Sequence, residues 1–424
     1  MARILKIHAR EVLDSRGNPT VEVEVHGEET FARAIAPSGA STGSHEALEL
    51  RDGGARYDGK GVLKAVANIN GKIAKRIANR DFSSFEQIDK EMIELDGTPN
   101  KASLGANATT AVSLACAKFL AGEDDESLYE HLGGKLLPVP MMNVLNGGVH
   151  AGSGLAIQEF MIMPIGAKTF SESLQMGSEI YHLLGKMLKD KYGPSAKNIG
   201  DEGGYAPPLK NSDEALGFLM HAIDKSGYSG HVKVAIDCAS NSFYDASARR
   251  YVIDGHSYDS SKLLDYYLDL VGHFDVVSIE DPFSEDDFES FAALKKKIGK
   301  KTQVVGDDLL VTNIGRIETA IKQDSVNALL LKVNQVGTLS EAIKAAKLCY
   351  TKGWGVIVSH RSGETEDTSI AEIAVGIEAG QIKTGSLARS ERVAKYNQLL
   401  RIEERLGSKA KFAGKDFRSP MRSN

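Results

Sequence analysis

The spacing of hydrophobic residues changes twice along this chain. Thr20-Val-Glu-Val-Glu-Val alternates strictly, the period of a strand with one buried face. Residues 4–12 also read as extended, and Asp14-Ser-Arg-Gly-Asn-Pro between the two is a turn cluster. A third strand is expected over 30–36, ending before Pro37. The period then becomes helical. Val62, Val66, Ile69, Ile73 and Ile77 recur at steps of 4, 3, 4 and 4, one face of a helix. Residues 85–95 and 107–121 predict two more helices. Strands followed by helices predict a small α+β domain, placed at residues 1–135.

Beyond Pro138-Val-Pro140, short continuous apolar runs alternate with long helical segments, and each run stops on a polar residue. The stops are Asp237, Glu280, Asp307, Lys332, His360 and Lys383, at steps of 43, 27, 25, 28 and 23. A step of about 25–30 residues is one βα unit. Continuous runs are what a parallel sheet covered on both faces requires. Six units, preceded by strands at 141–144 and 158–163, make eight. The fold class predicted is therefore α/β: an eight-stranded TIM-like β/α barrel over residues 136–424, preceded by the small cap. Functional residues of such a barrel gather at the C-terminal strand ends. An open doubly wound sheet is the rival, but no G-x-G-x-x-G follows a strand.

Composition narrows the classes. The chain has 424 residues, 42% apolar and 25% charged, ordinary for a globular protein. A net charge of −6 makes it a poor generic binder of nucleic acid or anionic membrane. Cys116, Cys238 and Cys349 are odd in number and far apart, with no C-x-x-C, against a disulfide framework or a thiolate zinc site. With no signal-like run and no stretch of membrane-spanning length, a reduced cytoplasmic protein is expected.

Asp237, Glu280 and Asp307 stand on successive strand ends and would converge on one rim. Unneutralised, they would repel one another strongly. A hard divalent cation resolves this, and oxygen ligands without thiols or paired histidines suit Mg²⁺. The plainer alternative is that each acid pairs with a basic neighbour or a helix end. Lys332 and Lys383 close apolar strands, where an unpaired ammonium is costly. Near each other and near a metal, one would lose its proton close to neutral pH and serve as a general base or a Schiff-base nucleophile. Two barrel salt bridges are the alternative. Arg361 and Ser362, directly after a strand, offer a planar fork and a hydroxyl to phosphate or carboxylate. Asp201 and Glu202 lie among three glycines in Gly200-Asp-Glu-Gly-Gly204. Pro37-Ser-Gly-Ala-Ser-Thr-Gly43 reads as a lid whose Ser41 closes on an anion.

Together these motifs resemble the enolase family. They are Ser-Gly-Ala-Ser-Thr-Gly (38–43), Leu-Asn-Gly-Gly-x-His-Ala-Gly (145–152), Gln-Glu-Phe-Met (158–161), Gly-Asp-Glu-Gly-Gly (200–204) and Ile-Glu-Asp-Pro-Phe (279–283). Gly-Asp-Asp-Leu (306–309), Leu-Lys-Val-Asn-Gln (331–335), Ser-His-Arg-Ser-Gly-Glu-Thr-Glu-Asp (359–367) and Gln-Ile-Lys-Thr-Gly (381–385) complete the set. The resemblance covers nearly the whole chain. It implies reversible dehydration of 2-phospho-D-glycerate to phosphoenolpyruvate, and an irregular ββαα(βα)6 barrel with an antiparallel second strand.

By that resemblance Asp237, Glu280 and Asp307 bind a first Mg²⁺, and Ser41 joins a second that arrives with substrate. Lys332 is the base at C2, and Glu202 the acid that helps the C3 hydroxide leave. His150, Gln158 and Glu159 line the substrate side opposite the base. His360 lies nearby, Arg361 and Ser362 hold the phosphate, and Lys383 contacts the carboxylate. The resemblance also implies a homo-oligomer, dimer or octamer, and allows a cell-surface or secreted fraction. A Schiff-base aldolase would use Lys332 as nucleophile without needing the three acids. A superfamily relative that abstracts a proton without dehydration would lack the phosphate elements. A non-catalytic binding protein on the same fold would show a degraded set.

Overall fold

The computed structural model describes residues 1–39, 43–148 and 154–418. The first strands form as the alternation predicts. Lys6–Leu13 pairs antiparallel with Pro19–His26, which pairs antiparallel with Phe31–Ile35. Val21, Val23 and Val25 turn one face of this sheet inward and are fully buried. They pack against the helix Ala106–Glu123, which is apolar nearly all round. The helical stripe from Val62 to Ile77 also forms, with a difference. Leu63–Asn68 and Ala74–Ile77 are α-helical, but Ile69–Ile73 between them widens into a π turn. Ile69, Ile73 and Ile77 all remain buried.

The second part closes as a barrel of eight strands: β1 (Val139–Asn146), β2 (Glu159–Met163), β3 (Lys233–Asp237), β4 (Val276–Glu280), β5 (Gln303–Gly306), β6 (Ala328–Leu331), β7 (Gly355–Ser359) and β8 (Gly380–Lys383). Neighbours pair in parallel except around β2, which is antiparallel to both β1 and β3. Because β2 is reversed, it starts at the rim where the other strands end. Two helices, α1 (Phe170–Tyr192) and α2 (Ser212–Lys225), separate β2 from β3. Thr169 and Asn211 cap them through side-chain oxygens that accept from Glu172 N and Glu214 N. The long step of 43 residues between Asp237 and Glu280 holds a small antiparallel sheet of Tyr244–Asp245, Arg250–Ile253 and His256–Tyr258.

Alternation along each strand sorts the barrel interior into layers. Ser278, Gln303 and Gln381 form a polar layer low in the barrel. There Gln303 Nε2 donates to Ser278 Oγ at 3.0 Å and to Gln381 Oε1 at 2.8 Å. Phe417, from the C-terminal segment, closes this end, and its carbonyl accepts from Gln381 Nε2. An apolar layer follows, with Met141, Met161, Ala235, Val305, Leu330 and Ile357 in one cluster. Two residues nearer the open end stand Glu159, Asp237, Asp307, Lys332 and Ser359, while Glu280 and Lys383 stand two residues beyond Ser278 and Gln381. The floor beneath the charged rim is therefore apolar under β2, β3, β5, β6 and β7 and polar under β4 and β8.

The cap and the barrel are joined at that rim. Ser38 and Gly363 exchange backbone hydrogen bonds, each 2.8 Å. Further back, buried Asp89 of the cap accepts from Ser340 N at 2.9 Å. Among the described residues, no helix is long and apolar enough to cross a membrane.

Candidate active site

The charged layer opens into a small polar cleft, lined by Gln158, Glu159, Glu202, Asp237, Ala239, Asp281, Asp307, Asp308, Lys332, Ser359, His360, Arg361, Ser362 and Lys383. Eleven of the thirteen residues given a role from the sequence belong to this layer and its rim. Ser41 and His150 lie outside the described residues.

The lysines decide the electrostatics. Lys383 Nζ donates to Asp237 Oδ2 at 2.8 Å and Glu280 Oε1 at 2.9 Å, and lies 3.3 Å from Glu159 Oε1. Burial alone would pull its pKa down. The charges of Asp237, Glu159 and Glu280 override that and hold it well above its ordinary value. Lys332 Nζ donates to Asp307 Oδ2. It too is raised, with burial opposing and Asp307 prevailing. The expectation that one lysine sheds its proton near neutral pH presupposes a metal's charge; without it, these acids keep both ammoniums protonated. Asp307 is correspondingly lowered, with burial opposing and Lys332 the main cause.

The carboxylates keep capacity that the protein does not use. Burial, then the neighbouring charge of Asp237, pushes Glu280 well above the usual carboxylate range. Among the described residues, its buried Oε2 has no hydrogen-bond partner, nor have the buried Glu159 Oε2 and Gln158 Oε1. Orphaned oxygens in an all-oxygen donor set fit a hard cation. Among the described residues, Asp281, Asp307 and Asp308 also bring one oxygen each within 4.8 Å of one another, as do Glu159, Glu202 and His360 through one ligand atom each. Asp281 is not idle in its group. Its two oxygens accept from Asp307 N at 2.9 Å and Asp308 N at 2.7 Å, fixing the turn that presents Asp307.

Glu202 reaches the cleft from the loop between α1 and α2. Tyr181 of α1 stacks on Tyr205 with ring centroids 4.4 Å apart and donates its hydroxyl to Gly203 O at 2.9 Å. Ser386 N donates to Glu202 O, and Asn143 Nδ2 to Glu202 Oε2 at 3.1 Å. Gly203 sits at φ +86, and a Cβ there would meet Ala388 O at 2.5 Å, so the tight turn requires glycine. Glu202 thus stands beside β1 and β8, across the barrel mouth from Lys332 at the end of β6. Glu159 is raised well above its ordinary value by burial and then by Glu202. The pair therefore retains a proton far above the pH at which a solvated carboxyl releases one.

On the remaining side lie His360, Arg361 and Ser362. His360 Nε2 is 3.6 Å from Glu202 Oε1, and burial first, then nearby cations, hold the ring well below its ordinary pKa. Arg361 binds Glu46 of the cap through both terminal nitrogens, at 2.9 and 3.1 Å, and Asn334 Oδ1 at 3.1 Å. The fork expected to face an anion is thus engaged by a carboxylate. Sequence reasoning missed Glu46, Asn143, Asp281, Asp308 and Arg392. For two of them a signal existed, since Asp281 and Asp308 directly follow strand-end acids already chosen.

Two family models match the chain. One, described as the enolase N-terminal domain, matches residues 4–132, and the other, the enolase C-terminal TIM barrel domain, matches residues 134–421. An enolase of Thermococcus kodakarensis is 55% identical over 423 residues, covering 99% of this chain and 98% of its own. An enolase of Methanocaldococcus jannaschii is 56% identical over 422 residues, 99% of each chain. One of Pyrococcus furiosus is 54% identical over 420 residues, 98% of each. The chain belongs to the enolase family, metal-dependent carbon–oxygen hydro-lyases that interconvert 2-phospho-D-glycerate and phosphoenolpyruvate.

Proposed function

We propose that in this chain Lys332 removes the C2 proton of 2-phosphoglycerate and Glu202 protonates the departing C3 hydroxide. The observation that carries this reading is the placement of an ammonium and a carboxyl across one closed, charged barrel mouth. A C2 proton beside a carboxylate is weakly acidic, because its loss puts a second negative charge next to the first. Hydroxide is a poor leaving group, so it needs an acid. A base at β6 and an acid beside β1 and β8 suit removal from opposite faces.

Lys383 would contact the substrate carboxylate, and Arg361 and Ser362 the phosphate. His360, Gln158 and Glu159 would line the acid side, together with His150. Asp237, Glu280 and Asp307 would hold one Mg²⁺, and Ser41 would help hold a second that arrives with substrate. Bound there, Mg²⁺ would supply positive charge where negative charge develops on the substrate, and would take up the charge of Asp307 that otherwise keeps Lys332 protonated. An oxygen-only donor set with orphaned atoms supports this choice of ion. Residues 1–135 would act as the cap and 136–424 as the catalytic barrel. The chain would work as a cytoplasmic homo-oligomer, dimer or octamer.

The test is an absorbance assay for phosphoenolpyruvate from 2-phosphoglycerate, with Mg²⁺ and then with excess EDTA. Turnover that requires Mg²⁺ is expected. Folded protein without Mg²⁺-dependent turnover would overturn the assignment.

A further inference from the structure

We propose that Arg392 is a positioning residue of this site: its guanidinium fixes His360 as the neutral tautomer protonated on Nε2 and ties the Glu202 loop to the Arg361–Ser362 loop. The inference rests on the roles given above to Glu202 and the phosphate loop.

Arg392 lies in the first turn of α3 (Ser390–Leu406) and is fully buried. A buried arginine on a helix that is otherwise strongly polar needs several acceptors. Nη1 is 2.7 Å from His360 Nδ1 and donates to Arg361 O at 2.6 Å. Nη2 donates to Ser362 O at 2.6 Å and to Asp201 O at 3.1 Å. One rigid planar group therefore joins residue 201 of one loop to residues 360–362 of the other.

The contact with His360 has a chemical consequence. A guanidinium only donates and does not lose its proton in proteins. A ring nitrogen 2.7 Å from it must accept, so Nδ1 carries no hydrogen. The neutral ring then carries its proton on Nε2, the atom that faces Glu202 Oε1. Double protonation would set N–H against N–H. The groups facing the ring are Glu202 and Glu159 on one side and Arg392, Lys383 and Lys332 on the others. Burial first, and then the three cations, disfavour a charged ring, and Glu202 alone is too weak to reverse them. His360 is thereby kept as a fixed N–H donor toward the acid and the substrate oxygens near it. A cationic ring would instead be able to give up its proton to the leaving hydroxide.

The experiment is imidazole ¹⁵N NMR on the full chain, with His360→Gln used to assign the signal. In wild type, Nδ1 should resonate as an unprotonated nitrogen and Nε2 as a protonated one, unchanged between about pH 6 and about pH 8. In Arg392→Met the ring should titrate or mix tautomers, and kcat should fall roughly 100-fold with a smaller change in KM, as expected for a misplaced reacting group. A wild-type ring protonated on Nδ1, or doubly protonated at neutral pH, would overturn the proposal. So would a folded Arg392→Met protein that keeps both the wild-type spectrum and a kcat within about threefold of wild type. Should that variant not fold, the wild-type spectrum alone decides. The spectrum needs neither substrate nor metal, so its failure is separate from failure of the phosphoenolpyruvate assay.

Discussion

Lys383→Met isolates the electrostatics of the barrel mouth. The methionine preserves most of the side-chain volume but removes the ammonium that contacts Asp237, Glu280 and Glu159 at 2.8, 2.9 and 3.3 Å. Removing one partner of a buried ion pair costs about 3–5 kcal/mol, because the other charge is left uncompensated. At this chain length about 1 kcal/mol moves Tm by roughly 1 °C. In EDTA the variant should therefore melt about 3–6 °C below wild type. Excess Mg²⁺ should recover most of the loss, since a cation held by the same acids compensates them again. The pH dependence has a definite sign. Glu159 and Glu280 already lie well above the usual carboxylate range, through burial and facing acids, and Lys383 pulls both down. A carboxyl raised on folding contributes fully below its unfolded pKa and loses that contribution as pH rises through its folded value. Without Lys383 both values rise further, so the variant loses more as pH rises. The gap in Tm should be widest near about pH 8 and close toward about pH 5, as the acids become protonated in both proteins. Scanning calorimetry at several pH values in EDTA is the assay. A Tm within about 1 °C of wild type at the upper pH, or a gap that grows toward acid, would refute the reasoning.

Lys332→Ala should abolish exchange of the C2 proton with solvent, read by deuterium incorporation; near wild-type exchange would place the base elsewhere. Glu202→Gln should spare that exchange while lowering dehydration by a factor of roughly 100 to 10,000, so equal loss of both rates would remove Glu202 from the acid role. Gly203→Ala sets a Cβ 2.5 Å from Ala388 O in a left-handed backbone conformation. It should displace the acid loop and lower kcat roughly 100-fold, checked by steady-state kinetics, whereas unchanged kcat would mean the turn relaxes without moving Glu202.

The rim was legible because two simple rules act on the same residues. Apolar runs mark buried strands, and the polar residue that ends each run sits on the inner face at the open end. That identified Asp237, Glu280, Asp307, Lys332 and Lys383 without reference to partners. The direction of β2 was not legible from its residues, since Glu-Phe-Met-Ile-Met is buried throughout and such a run carries no sense of direction. The family resemblance supplied it. The small sheet between Tyr244 and Tyr258 has strands of two to four residues, too short to establish a period. Glu46 meets Arg361 across 315 residues of chain, and Arg392 meets His360 only because α3 packs behind the rim. Such pairs are products of tertiary closure and leave no local pattern. The acid beside each ammonium was likewise invisible in the sequence, and without a metal's charge those acids keep both lysines protonated.

The reversed β2 governs more than its own side chains. A chain that descends through β2 leaves the barrel at the far end, so α1 must climb back toward the mouth. The turn between α1 and α2, which in a repeating βα barrel has no counterpart at the open end, therefore surfaces there with Glu202 on it. Turning that single strand around would carry the turn to the closed end, even if every residue of the turn were kept. The separation of acid from base across the mouth is thus a property of chain direction, which no point substitution within the loop can supply or repair.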